Sequence, residues 1–171
     1  PCLRTDEARW IKGLERVYEL RTTFNIASAN LSIGGGQYSD YCDSNNAAAK
    51  AQIDNLRTAG IATVVSSGNQ GYTTSIGLPA CISSAISVGS TTDGGTLPVD
   101  MVSSFSNNAS ILNLLAPGEV IISSVPGGSY EEKQGTSQAA PMVAGAWAVM
   151  KQRFPTESVT QILTRLKYGG V

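Results

Sequence analysis

Apolar residues recur at helical spacing from Asp6 to Arg21. Trp10, Ile11, Leu14, Val17 and Tyr18 form one stripe behind the acids Asp6 and Glu7, so this segment is expected to be a helix. The pattern changes at Phe24. From there Ile26, Ala27, Ala29, Leu31 and Ile33 make a mostly apolar run that ends at the triple glycine Gly34–Gly36, which reads as a strand. Ser44 to Ala59 reads as a second helix, with Asp43 or Ser44 as its N-cap and Gly60 at the C′ position. Ile61 to Ser66 is a short β-branched run, the pattern of a buried strand. Two strands joined by a helix make a βαβ unit, so a parallel sheet is the expected core.

The middle of the chain is denser in turns. Ile86–Ser90, Ile111–Leu115 and Val120–Ser123 are strand candidates, separated by Asp93-Gly94-Gly95, Pro117-Gly118 and Pro126-Gly127-Gly128. From Ser137 to Arg153 apolar residues cover every helical face, among them Ala139, Ala140, Met142, Val143, Ala146, Trp147 and Val149. Such a helix is expected at the centre of a protein. Thr156 is expected to cap a last helix, in which Val159, Ile162, Leu163 and Leu166 form one stripe. No repeat, low-complexity tract or interdomain linker interrupts the pattern, so the reading is one α/β domain.

Charge narrows the function classes. Lys+Arg total 12 and Asp+Glu 13, and charged residues are 15% of the chain, against about 25% in an average protein. No Lys or Arg occurs between Arg57 and Lys133, and Asp93 and Asp100 are the only charges from Thr58 to Gly118. A nucleic-acid partner would need a cationic stripe, so none is expected. The apolar runs are too short for a membrane span, and the charged, amphipathic residues 1–22 do not read as a signal peptide. With a hydrophobic fraction of 42% the chain is expected to fold in solution. Among its 171 residues there is no histidine and there are three cysteines. A histidine-based triad is therefore incomplete within this sequence, and zinc sites built on histidine or on four cysteines are excluded.

The segment that carries chemistry is Gly135-Thr136-Ser137-Gln138-Ala139-Ala140-Pro141-Met142-Val143-Ala144-Gly145. Here a serine follows a glycine turn and opens a helix. Free N–H groups of the first turn and the positive end of the helix dipole favour negative charge developing beside its hydroxyl. Pro141 would sit near the edge of the first turn, where a missing N–H costs least. On position alone Ser137 reads equally as a simple N-cap. The whole run, however, resembles the nucleophile motif of the subtilisin-like serine proteases, the subtilases, and Ser137 matches the serine that attacks the scissile carbonyl. Gln138 stands where Met is usual and Met142 where His is usual; that His is not the catalytic base.

Two further segments resemble the same family. Ile61-Ala62-Thr63-Val64-Val65-Ser66-Ser67-Gly68-Asn69 matches the strand leading into the oxyanion turn, which implies that Asn69 donates its side-chain N–H to the oxyanion. Gly-Asn by itself would signal only a turn. Asn30-Leu31-Ser32-Ile33-Gly34-Gly35 matches the strand that pairs with an extended substrate. The resemblance therefore assigns substrate binding to Ser32, Ile33 and Gly34, with Ser66, Ser67 and Gly68 as the opposite wall. Their small, uncharged side chains suit an apolar or mid-sized substrate side chain. Read alone, the segment is an ordinary buried strand. Pro79-Ala80-Cys81, Ala85–Gly89, Ser104-Phe105-Ser106 and Leu115–Gly118 agree more loosely.

The resemblance implies a three-layer, doubly wound fold with a mainly parallel sheet. It also implies a triad whose aspartate lies in an Asp-Ser/Thr-Gly turn and whose histidine lies in a His-Gly-Thr-His helix. Neither motif occurs in these 171 residues, and both precede the Ser-Leu-Gly strand in family order. The expectation is thus a partial peptidase domain over residues 1–171, truncated at both ends and lacking its first strands. It would be a serine endopeptidase fragment, inactive alone, acting at full length as a monomer on protein or peptide substrates. A secreted, bacterial subtilase would suit a Cys42–Cys81 disulfide, with Cys2 left over; all three cysteines reduced is the alternative. No cofactor is called for. The family allows calcium, but no acidic cluster in the matched region marks a site, so no metal ligand is assigned. Two other readings compete: a non-catalytic subtilase relative that binds peptides, and an unrelated α/β binding module.

Overall fold

Every residue of the strand Ala62–Ser66 is buried, because helices cover both faces of the sheet that it centres. The computed structural model describes residues 5–93 and 98–169. The elements run α1 (Glu7–Leu20), β1 (Ser28–Leu31), β2 (Gly35–Tyr38), a 3-10 turn (Asp43–Asn45), α2 (Ala47–Thr58), β3 (Ala62–Ser66), β4 (Ile76–Leu78), β5 (Ile86–Thr91), β6 (Leu114–Pro117), β7 (Ile121–Val125), β8 (Ser129–Lys133), α3 (Thr136–Arg153) and α4 (Val159–Gly169). The main sheet has the order β1-β3-β5-β6 and all its pairs are parallel. Asn30 lies opposite Val64, and Val64 in turn opposite Ile86.

Alternate residues of the strands feed two cores, as the strand period of two requires. On one face Val65 joins Leu14 of α1 and Ile53 and Leu56 of α2. On the other, Val64, Ile86 and Val88 meet Ala139, Ala140, Val143 and Trp147 of α3, with Val159 and Ile162 of α4. Helices above and below a parallel sheet make the three-layer α/β fold that the sequence implied.

The local signals hold at α1 and α2. Asp6 caps α1 by accepting from the Arg9 N–H at 2.9 Å. Gly60, with φ +80°, is the left-handed residue just beyond α2. The α2 cap is different from expectation. Asn46 precedes the helix, while the carboxylate of Asp43 accepts from the N–H and hydroxyl of Ser83 at 2.9 and 2.6 Å.

Four further expectations change. Thr156 does not cap α4. Ser158 does, accepting from the Gln161 N–H at 3.3 Å while its own N–H donates to the Gln161 side chain at 2.9 Å, a reciprocal capping box. The helix α3 is not buried all round: Met142 is 44% and Val149 65% exposed, since a helix lying on a sheet is covered on one side only. The strand expected at Ile111–Leu115 forms at Leu114–Pro117 instead. The side chain of Asn113 just before it accepts from the Ser87 N–H at 3.0 Å. The triple glycine does not simply end a strand. It opens β2, which pairs antiparallel with β4.

Pro126-Gly127-Gly128 does turn the chain, but it joins β7 to an unanticipated β8 in an antiparallel hairpin. The Ser-Tyr-Glu-Glu-Lys sequence of β8 is exposed throughout and carries no apolar alternation to betray it. Gly94 and Gly95 of one expected turn, and Cys2, lie outside the described residues.

Candidate active site

Because β1 and β3 are parallel, their carboxyl ends open on the same edge of the sheet. Ser32-Ile33-Gly34 leaves β1 there, and Ser67-Gly68-Asn69 leaves β3 beside it. In open parallel sheets this end is where ligands bind. The amino end of α3 is aimed at the same place, and the three expected motifs meet.

Gly135 forms the cap of α3 at φ +148°, in the region that glycine tolerates best. Ser137 is therefore not the N-cap but the second helical residue. Its N–H belongs to the first turn, which has no carbonyl four residues back within the helix. Pro141 is also placed differently than expected. It lies inside the helix, where it withholds the N–H that would bond to the Ser137 carbonyl. The Ser32 hydroxyl takes that role, donating to the Ser137 carbonyl at 2.8 Å. In return the Ser137 hydroxyl lies a loose 3.5 Å from the Ser32 carbonyl, so it is held near one position without being tied up in a strong bond.

Asn69 is oriented by its neighbour across the site. The Thr136 N–H and hydroxyl both donate to Asn69 Oδ1, at 2.9 and 2.8 Å. The Gly68 N–H donates to the Thr136 hydroxyl at 3.2 Å. With Oδ1 occupied twice, the amide plane is set and Nδ2 points to the remaining side. A methyl group placed on Gly135 would come within 3.1 Å of that nitrogen and 3.0 Å of Gln138 Oε1. The glycine thus leaves open a small space beside the Asn69 amide and the first turn of α3.

A second residue builds the loop beneath. Asn107, fully buried, accepts from the N–H groups of Gln70 and Tyr72 at 2.9 and 3.1 Å. Its amide donates to the Ser67 carbonyl and to Gln70 Oε1 at 3.2 and 2.8 Å, while its N–H donates to the Gly68 carbonyl at 2.9 Å. Neither Thr136 nor Asn107 was assigned a role from sequence. The only hint was a polar Ser-Asn-Asn run, Ser106–Asn108, in an otherwise uncharged stretch.

A groove of about 650 Å³ runs past these groups, lined by Ser32, Ile33, Gly34, Ser66, Gly68, Asn69, Thr136 and Ser137, and further along by Gly36, Tyr38, Leu78 and Pro79. Ser67 does not line it. Its side chain turns inward and its hydroxyl donates to the Asn107 carbonyl at 2.9 Å, because alternate residues of an extended segment face opposite ways. Behind the groove Cys42 and Cys81 form a disulfide that ties the segment after β2 to the segment after β4. Among the described residues no three His, Cys, Asp or Glu side chains gather as a metal site.

The profile of the subtilase family matches residues 7–167. Subtilisin of Bacillus pumilus is 34% identical over 146 residues, 84% of this chain and 49% of its own. Subtilisin BL of Lederbergia lenta is 36% identical over 139 residues, 81% of this chain and 47% of its own. A crystal structure of a cold adapted subtilisin-like serine proteinase superposes with a TM-score of 0.74 at 31% identity, over 92% of this chain and 52% of that one. The chain spans about half the length of these relatives. Its profile match, its relatives and its parallel-sheet site together make this chain a member of the subtilase family.

Proposed function

We propose that this chain supplies the nucleophile, the oxyanion donor and the substrate groove of a serine endopeptidase. The observation that carries the reading is the Asn69 amide, clamped through Oδ1 by Thr136, with Nδ2 beside Gly135 and bonded to none of the described residues. A substrate would lie extended along Ser32, Ile33 and Gly34 by β-augmentation, with Ser66 and Gly68 walling the pocket for the side chain next to the cut. The Ser137 oxygen attacks the carbonyl carbon and gives its proton to a base. Negative charge on the carbonyl oxygen is met by Asn69 Nδ2–H and the Ser137 N–H. The base then returns the proton to the leaving amine, and water releases the acyl group by the reverse steps.

With no histidine in these 171 residues, the base and its orienting aspartate come from polypeptide outside them, and the chain alone is inactive. The substrates are proteins or peptides, and the full-length protein is a monomer that needs neither nucleic acid nor membrane. No helix among the described residues is long and apolar enough to cross a membrane. The Cys42–Cys81 disulfide supports secretion, since such bonds persist in oxidising compartments, and the Bacillus relatives suit a bacterial source. The lack of histidine also favours a second reading, a relative that binds peptides without cutting them.

A serine-directed phosphonate probe separates the two. In the protein at its natural length it is expected to label Ser137, and Ser137→Ala is expected to abolish both labelling and cleavage. Cleavage that survives Ser137→Ala would falsify the assignment.

A further inference from the structure

Gln138 follows Ser137 in the first turn of α3. It is half-buried, and its side-chain amide bonds to none of the described residues. That amide nevertheless ends at a chemically crowded point. A methyl group on Gly135 would stand 3.0 Å from Gln138 Oε1, 3.1 Å from Asn69 Nδ2 and 3.6 Å from the Ser137 nitrogen. One methyl-sized space is therefore bounded by both N–H donors of the oxyanion site and by the end of Gln138. Facing two unpaired N–H groups, the amide presents its oxygen. The same end carries an NH2 group, and a half turn about the last side-chain bond exchanges the two with almost no change of shape. That torsion is soft, and no hydrogen bond to a described residue opposes it.

We propose that Gln138 is a third oxyanion donor. Its amide turns as negative charge develops on the scissile carbonyl, so that Nε2–H takes the place of Oε1 at the charge. The inference rests on the peptidase reading of the site. Before attack the carbonyl oxygen is neutral and asks little of a third donor. After attack it carries a full charge, and a hydrogen bond to a charged acceptor is roughly twice as strong as a neutral one. The contact is thus made mainly in the transition state, and it acts on kcat with little effect on KM.

The test measures kcat and KM on one peptide with the protein at its natural length. Active sites are counted by labelling with the phosphonate to completion, so that unfolded molecules do not enter kcat. Gln138→Met keeps the length and bulk of the side chain but has no N–H. It is expected to lower kcat about tenfold with KM nearly unchanged, the effect of one hydrogen bond to a charged group. Gln138→Glu keeps the shape but presents only oxygen, with a negative charge, and should lose about tenfold more than Gln138→Met. Asn69→Ala should cost several-fold more in the Gln138→Met background than in the parent, because donors that share one charge cover for each other. A Gln138→Met enzyme as fast as the parent or faster overturns the proposal and makes Oε1 a competitor of the substrate. Gln138→Glu no slower than Gln138→Met overturns it too, as does an Asn69→Ala cost equal in both backgrounds. In each of these cases the peptidase reading stands. If the parent cuts no peptide and Ser137 takes no phosphonate, that reading fails and takes the third donor with it.

Discussion

The Ser32 hydroxyl donates to the Ser137 carbonyl at 2.8 Å, and that carbonyl is the one whose helical donor is missing because residue 141 is proline. A break in the helix ladder is thereby converted into a tie between α3 and the segment that leaves β1. A double-mutant cycle tests it. Ser32→Ala should cost about 1 kcal/mol of stability, since it leaves a part-buried acceptor unpaired. Pro141→Ala restores an N–H to the helix, and in that background Ser32→Ala should cost about half as much. Equal costs in both backgrounds, measured by urea unfolding, would separate the two residues.

Thr136 is a positioning residue for Asn69. Removing an oxyanion donor in a subtilisin costs about 10²–10³ in turnover, and Asn69→Ala should show a loss of that order at unchanged folding. Thr136→Val keeps the backbone N–H and the shape but removes the hydroxyl bond. It should lower kcat about fivefold with KM nearly unchanged, and Thr136→Ser should recover most of the loss. An effect confined to KM would place Thr136 in substrate binding instead.

The Cys42–Cys81 bond closes a loop with a sequence separation of 39 and pins the segments after β2 and β4. Replacing both cysteines by serine should remove about 2–4 kcal/mol of stability. Calorimetry of the oxidised and reduced protein should give the same difference as the double variant. A reduced protein as stable as the oxidised one would contradict it.

The Asp54 carboxylate sits beside Lys50 on α2. Burial acts to raise its pKa, but the hydrogen bond and charge of Lys50 and the charge of Arg57 outweigh it and hold the carboxyl below its usual 3.8. A carboxyl depressed in the folded state adds stability above its unfolded pKa, and loses it as pH falls through the folded value. With 43% of the Asp54 side chain exposed, the gain at neutral pH is about 0.5 kcal/mol or less. Asp54→Asn should therefore be slightly less stable than the parent at pH 7, and the difference should vanish as pH falls through the depressed folded-state value. A gap that widens in acid would reverse the sign.

The chain's local grammar was legible from sequence wherever the cause is local. The apolar stripe of α1, the β-branched run of β3 and the glycine beyond α2 depend on residues within a turn or two of each other. The motifs around Ser32, Asn69 and Ser137 announced the family and the order of the site's parts. Elements without a local signature escaped: β8 is polar and exposed, and half of β2 is glycine. Tertiary structure alone decided which side chains face the groove and what holds them. Ser67 turns away from a wall that its sequence neighbours form. Asn107, 38 residues on from Asn69 in the chain, builds the loop beneath it, and Thr136 sets the direction of the amide. These are hydrogen bonds between segments far apart in sequence, made only when β1, β3 and α3 converge at one end of the sheet. The residue types were written in the chain, but their partners depended on distances that only the packed fold supplies.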